Sequence, residues 1–181
     1  IVADIAAEAP IALAVLNAGI YIPMRAREFA AEKAAKTFDV NLRGVANGLD
    51  PLLKHMIERQ SGHVAVTASV AGYRGLPAAS AYSATKAGLI AMCESLALDL
   101  IDEGVRLSVV NPGFVDTDAT KVNDFEMPFL MQTEDAAKRI VEGLEKPGFE
   151  IAFPWQFVRF LRLIGLLPNR WYFAVWRRLT R

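Results

Sequence analysis

Cysteine is almost absent from this chain. Cys93 stands alone among 181 residues, so no internal disulfide can form. Only His55 and His63 could join it, too few ligands for a structural zinc site, and no metal is expected. A reducing, cytoplasmic setting fits this cysteine usage. Long apolar runs are also lacking. The longest uncharged stretch, residues 9–24, is interrupted by Pro10, Asn17, Gly19 and Pro23 and is too short to span a bilayer. The first residues include Asp4 and Glu8 with no basic segment, which argues against a secretory signal. Net charge is missing too. The 20 Lys and Arg balance 20 Asp and Glu, so the whole chain makes no electrostatic case for nucleic acid. No internal repeat or low-complexity segment is visible.

What is present is apolar. Hydrophobic residues make up 53% and charged residues 22%, which excludes disorder and allows one domain with a real core. The charge is unevenly placed. Beyond Glu150 there is no acid, while six arginines (Arg159, Arg162, Arg170, Arg177, Arg178 and Arg181) and all three tryptophans (Trp155, Trp171 and Trp176) fall there. The remainder carries a net charge of −6. We therefore divide the chain at residues 1–153 and 154–181.

Residues 1–8 read as the end of an amphipathic helix. IALAVL reads as a buried parallel strand running into the small-residue turn Asn17-Ala18-Gly19. Helix follows through residues 28–60, with Pro51 expected to bend or restart it. HVAVTAS is a second strand, and a helix from about 79 to 101 is followed by Gly104 as a C-cap glycine. VRLSVVNPG is a third strand, residues 114–131 a loop with some helix, and Thr133 an N-cap. FEIAF is a fourth strand, and Pro168 splits the tail into two short helices. Alternating strands and helices give an α/β fold with a parallel sheet. Residues 17–19, 67–69 and 111–113 each follow a strand, so they meet at its carboxyl edge.

Tyr82 and Lys86 lie four apart on one helix and share a face. A free tyrosine titrates near pH 10. A lysine ammonium about 5 Å away is expected to lower it by roughly 2 pK units at an effective dielectric near 20. Ser69, at the end of the neighbouring strand, can hold a carbonyl oxygen beside the phenol, and the small residues between allow close approach. Taken singly, each motif has a plain explanation. Asn17-Ala18-Gly19 can be a turn, Asn41 a helix-interior residue, and Ser69 or Thr117 a cap. Cys93 reads as core, His55 and His63 as surface, and Asp116 and Asp118 as solvated loop residues.

Together the motifs resemble the short-chain dehydrogenase/reductase family across residues 1–153. Asn17-Ala18-Gly19 looks like its NAG turn, and Asn41 in DVNLRG like its asparagine. Ser69 lies thirteen residues before Tyr82, Tyr82 and Lys86 fit YxxxK, and residues 112–117 fit PGxxxT. The resemblance implies a Rossmann-like doubly wound parallel sheet (family strands 4–7) with a helical C-terminal tail. It implies an NAD- or NADP-dependent oxidoreductase interconverting an alcohol and a carbonyl. Tyr82 would be the general acid/base, Lys86 its partner and a ribose ligand, Ser69 the orienting hydroxyl, and Asn41 the holder of a water through its backbone. Asn17, Ala18, Gly19, Pro112, Gly113, Val115 and Thr117 would line the cofactor. A homo-oligomer through the helices carrying Asn41 and Tyr82 is implied as well.

One family feature is missing: no glycine precedes Gly19, so the TGxxxGxG phosphate turn is absent. The resemblance implies that family strands 1–3 lie ahead of this sequence, that IALAVL is left as an open edge, and that the chain is a fragment of the enzyme. The alternative is a catalytically inactive fragment or a cofactor-binding or interaction protein of the same fold. Phe125, Met127, Phe129, Leu130 and Met131 suggest an apolar small-molecule substrate. In the tail, arginines interleave with Trp, Phe and Leu, which suits peripheral contact with an anionic membrane. Packing on the chain's own domain or a dimer mate is the other reading. The acidic remainder argues against nucleic acid.

Overall fold

A computed structural model describes residues 2–122 and 125–180, so Ile1 and the last tail arginine, Arg181, lie outside the described residues. Four strands form one sheet in the order β1 (Leu13–Leu16), β2 (Gly62–Thr67), β3 (Val105–Pro112) and β4 (Glu150–Phe153). Every neighbouring pair is parallel, with Leu16 opposite Val66 and Thr67 opposite Val110. The helices are α1 (Val2–Glu8), α2 (Ala31–Phe38), α3 (Gly44–Glu58), α4 (Ser80–Asp99), α5 (Thr133–Leu144), α6 (Trp155–Gly165) and α7 (Asn169–Leu179).

The period-2 alternation of the strands divides the core into two layers. Val64 and Val66 of β2, with Leu107 and Val109 of β3, face Leu49 and Met56 of α3 and Leu89 and Cys93 of α4. Ala65, Val110, Ile151 and Phe153 face the opposite way, onto Ala136 of α5. Helices therefore cover both faces, and the sheet is doubly wound. A third cluster joins Phe157, Leu161 and Ile164 of α6 and Tyr172 of α7 to Val70, beside the end of β2.

Several expectations need correction. β1 is not buried on both faces: Leu13 and Val15 are exposed, while Ala14 and Leu16 pack on the core. Among the described residues it is an edge strand, paired with β2 alone. Pro51 causes no restart, for α3 runs through it. The N–H that proline lacks would have met the carbonyl of Asn47, an exposed residue whose carbonyl water can reach. The irregularity lies earlier, in a π-helical turn over Asp39–Arg43, where the Gly44 N–H bonds back to the carbonyl of Asp39. Among the described residues, 114–131 holds turns rather than helix. Thr133 begins α5 rather than capping it, and its hydroxyl donates to the Asp116 carbonyl at 2.6 Å. His63 is buried, its Nε2 2.9 Å from Ser108 Oγ, because its place in β2 puts it on the inner face beside β3. Burial, with Arg106 nearby, lowers its pKa.

The layered core predicts a contrast between two leucines. Leu89→Ala, at a fully buried position, is expected to cost ~2–5 kcal/mol of stability, and Leu13→Ala, on the open face of β1, less than ~1 kcal/mol. Urea unfolding midpoints of the two variants check this.

Candidate active site

β2 ends at Thr67, and the chain passes through extended Ser69 into a short 3₁₀ turn, Val70–Gly72. The Ser69 Oγ accepts from the Ala71 N–H at 3.1 Å and donates to the Pro112 carbonyl at 3.4 Å, which ties the ends of β2 and β3 together. The turn is buried. A Cβ at Gly72 would lie 2.7 Å from the backbone carbon of Lys86, so only a glycine lets the turn reach α4. The small residues between Ser69 and Lys86 thus serve close packing of turn on helix.

Lys86 is 3% exposed, and its ammonium donates to the Thr67 carbonyl at 2.7 Å. It lies 5.5 Å from the centre of the Tyr82 ring. Tyr21 meets the same ring edge-on at 5.1 Å. Asn41, fully buried in the π-helical turn, clamps Ile20 from both sides: its Oδ1 accepts from the Ile20 N–H at 2.7 Å, and its Nδ2 donates to the Ile20 carbonyl at 2.8 Å. A second contact, 3.3 Å, reaches Thr85 Oγ1 on α4. A Cβ at Gly19 would lie 3.4 Å from Asn41 Oδ1 and 3.6 Å from Lys86 Nζ. The carboxyl edge therefore brings Gly19, Asn41, Ser69, Tyr82 and Lys86 together. Asn17 and Ala18 are exposed at its margin. The hydrogen bonds of Val115 and Thr117 stay in their own loop: Thr120 Oγ1 accepts from the Thr117 N–H and donates to the Val115 carbonyl. Pro112 takes the Ser69 hydroxyl, and Gly113 lies against Pro154 and Phe157 of the tail.

The roles of two residues escape the sequence reading, although 111–113 is placed at the carboxyl edge there. Asn111 accepts from the Ser69 N–H at 3.1 Å and donates to Glu150 Oε1 at 2.7 Å. Glu150 also accepts from the Tyr73 hydroxyl at 2.5 Å and pairs with Arg162 of α6. Glu150 is the one polar residue of β4, and that is the available signal; Asn111 follows Arg106 and Ser108 in β3 and does not stand out.

The model of the short chain dehydrogenase family matches residues 2–127. The chain belongs to this family. An uncharacterized oxidoreductase of Myxococcus xanthus is 41% identical over 167 residues, covering 92% of this chain and 66% of that protein. An acetoacetyl-CoA reductase of Synechocystis is 45% identical over 82 residues, 45% of this chain and 34% of that one. The chain thus spans just under two thirds of the Myxococcus relative. A short-chain dehydrogenase from Burkholderia cenocepacia, solved in complex with NADP, superposes with a TM-score of 0.81 at 24% identity. The match covers 99% of this chain and 73% of that one, and bears on fold.

Electrostatics at this short-chain dehydrogenase site differ from expectation. Burial raises the Tyr82 phenol above 10, opposed by a hydrogen bond with Ser69 and reinforced by Tyr21, so the net shift is upward where a lowering is expected. Lys86 itself is pulled down from 10.5 to about 8 by burial. Cys93 is a core thiol, pushed up to about 12.

Between pH 8 and 10.5 the unfolded chain binds a proton at Lys86 that the folded chain lacks. Stability from this group therefore rises with pH across that window, and below it the buried charge opposes folding. Lys86→Met is expected to raise stability at pH 7 by ~1–3 kcal/mol and to flatten that rise. Thermal unfolding of both proteins from pH 6 to 10 is the measurement.

Proposed function

We propose that the chain carries the proton-handling side of an NAD(P)-dependent oxidoreductase that interconverts an alcohol and a carbonyl on a lipophilic substrate. The observation that supports this most is Lys86, a buried ammonium beside Tyr82 whose hydrogen bond is to one carbonyl. Such a cation weakens the fold, and sites that keep one use it. Its two remaining N–H donors suit the vicinal hydroxyls of a nicotinamide ribose, and Gly19 leaves room beside them. Among the described residues no glycine-rich turn opens a helix to receive a pyrophosphate, so the fit is to the nicotinamide end.

When bound, the nicotinamide exchanges the hydride. Ser69 holds the substrate oxygen, and Tyr82 delivers a proton to that oxygen in reduction or removes it in oxidation. Burial keeps the phenol protonated, the form that reduction requires. The Lys86 charge favours the phenolate left after transfer. Asn41 positions the 17–20 turn through its side chain and, on this reading, holds a relay water through its backbone. On this reading Gly113, Val115 and Thr117, which follow Pro112 at the end of β3, are the cofactor's contacts from that strand end.

A cleft of about 590 Å³, lined by Met24, Phe29, Leu76 and Ala78 together with Arg25 and Ser80, offers apolar surface to a substrate beside one cationic and one hydroxyl group. Exposed Leu98 and Ile101, at the end of α4, support pairing of identical chains. The single buried thiol supports a cytoplasmic setting.

Tyr82→Phe is expected to lower kcat for ketone reduction by ~10²–10⁴-fold while NADPH binding, read by nicotinamide fluorescence, changes little. The assay uses the whole polypeptide in which the chain occurs. Equal turnover in the variant, or no turnover and no nicotinamide binding in the parent, contradicts the reading.

A further inference from the structure

The outer surface of the last two helices has no part in the chemistry above. α6 buries Phe157, Leu161 and Ile164 and leaves Trp155 and Leu163 exposed at 66 and 57%, and Leu166, just past its end, is exposed at 82%. α7 buries Tyr172 and leaves Trp171 and Phe173 more than half exposed. Soluble surfaces rarely present large apolar side chains so densely. Arg159, Arg170, Arg177 and Arg178 stand exposed among them. Of the tail arginines only Arg162 has an ion pair among the described residues, with Glu150.

This display is held in place. Arg74 donates to the carbonyls of Gly165 and Leu167, both at 2.7 Å, and to Asn169 Oδ1 at 2.5 Å, bracing the α6–α7 junction. Its guanidinium lies 3.9 Å over the Tyr172 ring, whose hydroxyl donates to the Gly75 carbonyl at 2.7 Å. Turning the exposed side chains inward would break these contacts and unpack the Phe157–Tyr172 cluster. The exposed apolar surface is therefore built in.

We propose that this face docks the protein on an anionic membrane surface, with Trp155, Leu163, Leu166 and Phe173 entering the headgroup–acyl boundary and the arginines meeting lipid phosphates. Trp and Arg are suited to that boundary, where an apolar body and a polar tip are both satisfied. Charge complementarity decides among occupants. No acid lies beyond Glu150, so a second copy docked face to face about a two-fold axis would set arginines against arginines. Nucleic acid would satisfy the arginines but leave Leu163 and Leu166 with nothing apolar to bury against. A lipid surface takes both.

Co-sedimentation with vesicles tests this, using phosphatidylcholine alone and phosphatidylcholine with roughly one third phosphatidylserine. The protein is expected to pellet with the anionic vesicles only. Its affinity should fall about tenfold or more between ~0.05 and ~0.5 M salt. Two double variants, Arg159→Gln with Arg177→Gln and Leu163→Gln with Leu166→Gln, should each weaken binding on the order of tenfold. All four positions are exposed, so the fold should be kept, and circular dichroism of each variant checks it. Absence of anionic binding, equal binding to both vesicle types, or binding unaffected by both variants overturns the proposal. So does a solution dimer abolished by the same substitutions, or tighter binding to duplex DNA lost with the arginines. None of these readouts requires turnover, so failure here leaves the oxidoreductase reading untouched.

Discussion

A lysine ammonium held 2.7 Å from the last carbonyl of β2, with 3% of its residue exposed, constrains everything around it. Burial works against that charge and draws its pKa to about 8, and the hydrogen bond to Thr67 is its compensation. To reach Thr67, α4 must cross the end of β2 closely. That crossing requires a residue without a side chain at Gly72, whose Cβ would strike the Lys86 backbone, and the turn after β2 is small for the same reason. Because Tyr82 lies one helical turn before Lys86, the same placement brings the phenol over the carboxyl edge.

The loops around this point are held by side chains rather than by strand pairing. Asn41 substitutes for a strand at Ile20, accepting from its N–H and donating to its carbonyl. Asn111 does similar work for Ser69, and Glu150 holds Asn111. Through Arg162 that chain of contacts continues to α6, so the tail and the candidate site share one polar network. Such networks are worth most when fully satisfied, and both Glu150 oxygens are engaged. The family membership explains why these contacts converge at a strand-end crevice, the usual ligand site of an open parallel sheet.

Much of this was legible in the sequence. The four strands are short apolar runs, and the parallel order follows from helices between them. The convergence of Gly19, Ser69 and Lys86 follows from each motif ending a strand or lying one turn along the next helix. What escaped depends on distance along the chain. Asn111 and Glu150 are 39 residues apart, and nothing local marks either as the other's partner. His63 reads as a surface residue until β3 places Ser108 beside it. The π-helical turn has no composition signature, and Pro51 drew attention to the wrong place. The direction of the Tyr82 shift is not legible because spacing shows the neighbouring lysine charge but not the burial of the phenol. β1 was half right, for its apolar residues look buried and alternate ones are exposed.

Among the described residues Lys86 is a buried cation with one carbonyl partner, Thr67, and a depressed pKa. The most direct test is an NMR titration of protein carrying ¹³C-labelled lysine, following the Cε resonance assigned by its loss in Lys86→Met. One lysine should titrate near 8, well below the exposed lysines. A Lys86 resonance that titrates at 10 or above would contradict it.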